Sequence, residues 1–187
     1  MLTPRLGLFS LCLLAGCLRA PDPSAFADAP TNVATAPPPT SVSMATPETW
    51  TAIEIDQSFY LAKWDLPQGG RATVSFLGPS FDAGTISLNI DRWLGQWTVP
   101  GSTPEESREF GVNQVDDVGM YQLVLQGTLQ STAQVGGGEP RENWMLVCGI
   151  MIDDFGPVYL KVVGPAEDLE TQVDEIFANF AKATFSS

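Results

Sequence analysis

The chain is expected to fold as an α+β domain in which an antiparallel β-sheet packs against two amphipathic helices. Three observations predict this. Several short segments rich in β-branched and aromatic residues are bounded by turn formers, successive segments are joined by hairpin-type connections, and two further segments repeat apolar residues at helical spacing. The order is strands, helix, strands, helix, and each helix needs a sheet to cover.

Before the domain comes a leader. Arg5 precedes an apolar run from Leu6 to Leu14, and the run closes on Leu14-Ala15-Gly16-Cys17. About nine apolar residues are enough to engage an export machinery but fall short of the roughly 20 that span a bilayer. The segment resembles the bacterial lipoprotein signal, in which Leu, a small residue and Gly or Ala precede an obligatory Cys. The resemblance implies that residues 1–16 are a signal peptide and that Cys17 is the lipidation site, diacylated and N-terminal after cleavage. Cys12 does not fit, because Leu11 before it is too bulky for a small-residue processing site. Ordinary secretion without lipid is the alternative. Each acyl chain contributes about 0.8 kcal/mol per buried methylene, so a diacyl Cys anchors far more durably than one myristoyl chain. Leu18 is not the Asp that retains some lipoproteins at the inner membrane. The expected location is the cell envelope, lipid-anchored, on the outer membrane facing the periplasm if the organism is diderm.

From Cys17 to Glu48 the composition shifts to Pro, Ala, Thr and Ser, with Pro37-Pro38-Pro39 at its densest point. Such a segment offers too little apolar surface to offset the entropy of ordering it, and proline biases it toward extended polyproline II. It is expected to be a spacer, reaching on the order of 100 Å if fully extended at about 3.1 Å per residue. The single domain is then 49–187.

Within it, strands are expected at Trp50 to Ile55, Phe59 to Trp64, Ala72 to Leu77, Gly111 to Val115, Tyr121 to Leu129, Trp144 to Ile152 and Val158 to Val163. Asp153-Asp154-Phe155-Gly156-Pro157 reads as a tight hairpin connection, and Gln134 to Asn143, with Gly136, Gly137 and Gly138, as a longer hairpin loop. Ile86, Ile90, Trp93, Leu94 and Trp97 share one face of a first helix. Leu169, Val173, Ile176, Phe177 and Phe180 do the same in a second, which opens with Pro165 and carries Glu167 and Asp168 where the helix dipole favours negative charge.

The run Asn89-Ile90-Asp91-Arg92-Trp93-Leu94-Gly95-Gln96-Trp97, with Val158-Tyr159-Leu160-Lys161-Val162-Val163-Gly164-Pro165 leading into a terminal helix, resembles a group of bacterial exported lipoproteins with a PsbP-like domain. The resemblance implies an antiparallel sheet between helices, serving mainly as an accessory or assembly module. It implies no catalytic residues and no photosynthetic role.

Composition narrows the chemistry. The chain has 9 basic and 22 acidic residues, a net charge of −13, and losing Arg5 with the leader leaves 8 and 22, or −14. So acidic a protein is a poor nucleic-acid binder, whose footprint must be basic. It would be repelled by anionic head groups, so the lipid on Cys17 should hold it to the membrane unaided. With no histidine, Ser-His-Asp and Cys-His sets and the usual zinc sites are absent. Cys148 lies among Met145, Leu146, Val147, Ile150 and Met151 and is expected to be a buried structural thiol rather than a nucleophile. Asp116-Asp117 and Asp153-Asp154 are the obvious acidic pairs. Both sit beside glycines where Asp commonly serves turns, and neither has the spacing of a calcium loop. Gly136-Gly137-Gly138 lacks the Lys-Ser or Lys-Thr of a phosphate cradle. Ser75 cannot be paired with Lys63 or Lys161 by spacing.

One edge of the first helix offers the best candidate surface. At 100° per residue, Thr85, Asn89, Arg92 and Gln96 gather along one border of the tryptophan-bearing face. The stripe could bind a partner or ligand, or form a structural polar rim, and Trp93 and Trp97 are expected in the core. Two functions remain: a non-enzymatic accessory module of the envelope that binds a protein partner, or a small-molecule or calcium-binding module. No catalytic residue, metal site or cofactor is expected. A patch without a cavity favours the first; a concave pocket lined by Trp with convergent Asn, Arg and Gln favours the second.

Overall fold

The computed structural model describes residues 34–79, 83–115, 118–130 and 138–187. Along the chain these form β1 (Ser41–Ser43), β2 (Thr51–Ala52), β3 (Tyr60–Asp65), β4 (Arg71–Phe76), α1 (Ala83–Leu94), β5 (Trp97–Thr98), α2 (Pro104–Ser107), β6 (Glu109–Val115), β7 (Val118–Leu129), β8 (Arg141–Asp153), β9 (Gly156–Pro165), α3 (Ala166–Leu169), α4 (Val173–Ala181) and β10 (Thr184–Ser186). Among the described residues the main sheet has eight strands in the order β2-β3-β4-β9-β8-β7-β5, with β6 also on β7. Every ladder in it is antiparallel, as the hairpin connections predict.

Helices cover both faces of this sheet, a point that periodicity left open. Alternate residues of β8 and β9 feed two separate apolar clusters. Val147, Met151, Val158, Leu160 and Val162 pack with Ile176, Phe177 and Phe180 of α4. Leu146, Cys148, Ile150, Tyr159 and Val163 pack with Ile86, Ile90, Trp93 and Leu94 of α1. Covered on both sides, β9 is buried along its whole length. That explains why its sequence reads as a continuous apolar run rather than an alternating one. Gly149 opens one of the closest approaches. A Cβ there would stand 2.9 Å from Phe180 Cδ1 and 3.1 Å from Met120 Sδ, so its absence lets α4 lie against the strand.

The turn between β8 and β9 is tight, pairing Asp153 with Gly156 across Asp154 and Phe155. Gly156 has φ of +117°, a conformation that side chains disfavour. Asp153-Asp154 is therefore turn chemistry here. Asp153 Oδ1 accepts from the Asp154 amide at 2.6 Å, and the Asp154 carbonyl accepts from the Thr35 and Ala36 amides. Asp116, Asp117, Gly136 and Gly137 lie outside the described residues, as does Cys17.

Four sequence expectations need correction. The first helix ends at Leu94, not Trp97. The Gly95 amide still reaches the Asp91 carbonyl at 2.9 Å, but the Gln96 amide bonds Trp93 three residues back, and Trp97 enters β5 opposite Leu129. The second helix is two pieces, α3 and α4. The Gln172 amide turns to the Leu169 carbonyl while its side-chain Nε2 takes the Asp168 carbonyl at 2.6 Å, the acceptor a continuous helix would give its backbone. The apolar positions survive the break because Leu169, Ile176, Phe177 and Phe180 remain buried.

The third correction concerns the spacer, expected to run to Glu48. From Ala34 onward the chain is already docked. β1 pairs with β10, Pro39 is buried, and Ala36, Val42 and Met44 pack on the α4-side cluster. Proline makes this docking cheaper than its composition suggests, since a chain held extended by its rings loses less entropy on ordering. The strand expected at Trp50 to Ile55 is correspondingly short, Thr51–Ala52 only.

Candidate functional site

The sheet register aligns side chains in rows on the face that α1 covers. One row runs Lys63, Thr73, Lys161, Cys148, Leu123 across β3, β4, β9, β8 and β7; the next runs Tyr60, Ser75, Tyr159, Ile150, Tyr121. Directly opposed residues share a face, so each row is polar at the β3–β4 end and largely apolar at the β7–β8 end. Helix α1 rests on the apolar end. The polar end is left open, and there the sheet forms the floor of a cleft of about 290 Å³.

Thr73, Ser75 and Lys161 make that floor. The wall is Trp93 with Arg92 from α1 and Gln96 just beyond it, and the lip is Phe59, Tyr60 and Leu77. Tyr60 reaches this face because of a register shift between Tyr60 and Ala62. Without that bulge, alternation would place Tyr60 on the same side as Ala62, away from the cleft. Trp93 is 4% exposed and stacks edge-on to Tyr159 at 5.9 Å, so it is core and wall at once.

Lys161 dominates the electrostatics. It is 4% exposed, in the middle of the sheet. Its Nζ donates to Gln96 Oε1 at 2.8 Å and lies 5.8 Å from the centre of the Trp93 ring. Burial pushes its ammonium down to about 8, and the positive charge of Arg92 acts in the same sense. Burial also drives the Cys148 thiol up to about 12, so at neutral pH it is an uncharged neighbour rather than a counter-ion. Lys161 is thus mostly protonated at pH 7, by roughly ten to one. Lys63, in the same row, is also buried, with Nζ 2.6 Å from Asp56 Oδ1, and that hydrogen bond holds the Asp56 carboxyl below its ordinary range.

The four stripe residues divide. Arg92 and Gln96 enter the cleft; Thr85 and Asn89 do not line it. Asn89 Nδ2 donates to the Thr85 carbonyl at 3.0 Å, and Arg92 Nη2 donates to Asn89 Oδ1 at 2.9 Å, so the first half of the stripe steers the guanidinium at the second. Gln96 reaches Lys161 from the connection between α1 and β5, not from the helix. Ser75 and Lys161, unpairable by spacing, stand diagonally on neighbouring strands of the floor. Helical periodicity missed Thr73, Ser75 and Lys161 because they lie on strands. The signal available was Lys161 itself, a charge inside Val158-Tyr159-Leu160-Lys161-Val162-Val163.

Other concavities carry less chemistry. Grooves of about 440 Å³ lie beside β7, one flanked by Glu109 and Glu170 and another by Glu142, and neither has a buried charged side chain in its lining. Among the described residues no cluster of three His, Cys, Asp or Glu could hold a metal ion.

No family model matches the chain, and no curated protein does. Among solved structures it is similar to cyanobacterial PsbP (CyanoP) from Synechocystis sp. PCC 6803, at 11% sequence identity and a TM-score of 0.47, covering 78% of this chain and 87% of that one. No residue role follows from a likeness this distant. No helix of the described residues is long and apolar enough to cross a membrane.

Proposed function

We propose that the protein is a lipid-tethered, extracytoplasmic binding module that takes a small molecule in the cleft between α1 and strands β3, β4 and β9. The observation that carries this reading is Lys161 on the cleft floor. An aliphatic residue would fill a doubly covered strand without the desolvation cost that burying an ammonium carries. Groups that cost stability beside a concavity are where function is found. Of the two sequence expectations, the cleft supports the second, with Trp93, Arg92 and Gln96 in place and Asn89 one step removed. Among the described residues the cleft lining has no carboxylate, whereas calcium takes several oxygen ligands with negative charge among them.

Tethering rests on Cys17. Because the chain is already docked from Ala34 onward, the spacer expected from 17 to 48 is shortened at its far end.

The experiment is a fragment screen by ligand-observed NMR on the full chain carrying Cys17→Ser, which removes the lipid and leaves the domain intact. Binders whose signal is lost when Ser75→Phe fills the floor support the reading. A screen in which every hit is indifferent to Ser75→Phe overturns it.

An envelope accessory or assembly role through a protein partner remains the second reading. Its support is the cleft lip, where Phe59 and Leu77 are 37% and 40% exposed, together with Leu88, 71% exposed on α1. Proximity crosslinking in intact cells, with Cys17→Ser as control, tests it through a reproducible partner lost with the tether.

A further inference from the structure

We propose that the cleft selects a small organic monoanion, a carboxylate on a flat apolar body, with the carboxylate held by Lys161 and Arg92. This rests on the cleft being a ligand site, and goes on to state what the ligand must be.

The distribution of charge makes the argument. The chain carries 22 acidic and only 9 basic residues, yet the described lining of this cleft includes two of the nine and no carboxylate. One is buried on the floor and the other exposed at the mouth. Two cations converging on one concavity of an acidic protein make a local minimum for an anion, and low-dielectric walls strengthen it. The uncharged groups on the floor fit the same ligand. Thr73 and Ser75, 3% and 8% exposed, bring hydroxyls that can donate to carboxylate oxygens. Gln96 accepts from the ammonium through its Oε1 at 2.8 Å and so fixes its direction at the floor.

Size and lining decide the rest of the ligand. A volume of about 290 Å³ lies at the small end of ligand pockets, which run from about 300 to 1,000 Å³. The faces and edges of Trp93, Tyr60 and Phe59 suit a flat apolar body beside the charged floor. A monoanion is favoured over a phosphate dianion because the field of a chain with net charge −13 repels the second charge as well as the first.

Phenylacetate, phenylacetamide, phenethylamine and inorganic phosphate form the probe set, titrated into the full-length Cys17→Ser chain at pH 7 and 150 mM salt by calorimetry and NMR. Phenylacetate should bind at least roughly tenfold more tightly than its isosteric amide, the worth of a hydrogen bond to a charged group. Lys161→Met and Arg92→Gln should each erase that ratio. Arg92 is exposed, so its variant keeps the test valid should Lys161→Met fold poorly. Equal affinity for acid, amide and amine overturns anion selectivity while leaving a ligand site standing. Phosphate binding as tightly as phenylacetate in the same place overturns the requirement for an apolar body. If no aromatic probe binds and the fragment screen is also empty, the ligand-site reading fails with it.

Discussion

On the proposed reading Lys161 costs the fold stability for the sake of the cleft, and that sets the prediction at the scale of single residues. Lys161→Met keeps the volume and removes a buried charge, so the variant should be more stable than the parent by about 1–3 kcal/mol at pH 7. Urea denaturation measures this. The advantage should depend on pH in one direction. The folded lysine titrates at about 8 against an ordinary 10.5, so between those values the unfolded chain binds more protons and native stability rises with pH. Below about 8 the cost of the buried ammonium is fully present; above 10.5 it is gone. The difference between Lys161→Met and the parent should therefore shrink from pH 8 to 10.5. Among the described residues, the titratable groups on this face around Lys161 are Arg92 from α1, Lys63 and Tyr60 from β3, Arg71 from β4, Tyr159 from its own strand and Cys148 from β8, with Asp56 paired to Lys63 and Asp65 to Arg71; Cys148, at about 12, stays a thiol through this window. A difference that stays constant from pH 7 to 11 would sink the account of Lys161 as a strained cation.

Elements pose a different question, namely what lets each helix lie where it does. Gly149→Ala pushes a methyl to within 2.9 Å of Phe180, and ring and strand must separate. The expected loss is about 1–3 kcal/mol, recovered in part by Phe180→Leu in the same chain, as a double-mutant cycle would show. An Ala variant as stable as the parent would mean that α4 is not seated against β8. The docked segment from Ala34 to Glu48 is the second element-scale case. A chain beginning at Thr49 loses the β1–β10 ladder and the packing of Val42 and Met44, and should be destabilised by about 2–4 kcal/mol relative to one beginning at Ala34. Equal melting temperatures for the two would restore the whole of 17–48 to the spacer. The break between α3 and α4 shows why a correct apolar period can coexist with a wrong continuous helix. The spacing of Leu169, Ile176 and Phe180 reports which side faces the core, while the backbone path depends on whether Gln172 gives its own amide or its side chain to Asp168.

For the molecule as a whole, the proposed tether and the proposed ligand cleft should act independently. Cys17→Ser should move the protein from the membrane to the soluble fraction without changing its melting temperature, since Cys17 precedes the docked chain; fractionation and calorimetry read the two effects. A melting temperature that falls with the substitution would show the leader end to be part of the domain. The cleft makes a further pH prediction. A carboxylate ligand needs Lys161 protonated, so its affinity should be flat below about pH 8 and fall by up to tenfold per unit above it. Titrations of phenylacetate from pH 6 to 9.5 decide this, and an affinity that rises with pH contradicts it.

Sequence alone determined the class of fold and its limits. Alternation and turn chemistry mark antiparallel strands, and helical spacing marks the core faces of Ile86, Ile90, Trp93 and Phe180. These are local or compositional properties, set by neighbours along the chain. The tertiary structure decided that helices cover both faces, that Pro39 docks, and that Lys161, Thr73 and Ser75 join Arg92 and Gln96 around one cleft. Those residues are separated by up to 88 positions, from Thr73 to Lys161, and only the register of β4 on β9 and the end of α1 at Leu94 bring them together. Pairing between distant strands is specified by the fit of whole faces rather than by any motif in either strand, and so a site assembled from it is invisible until the sheet is built.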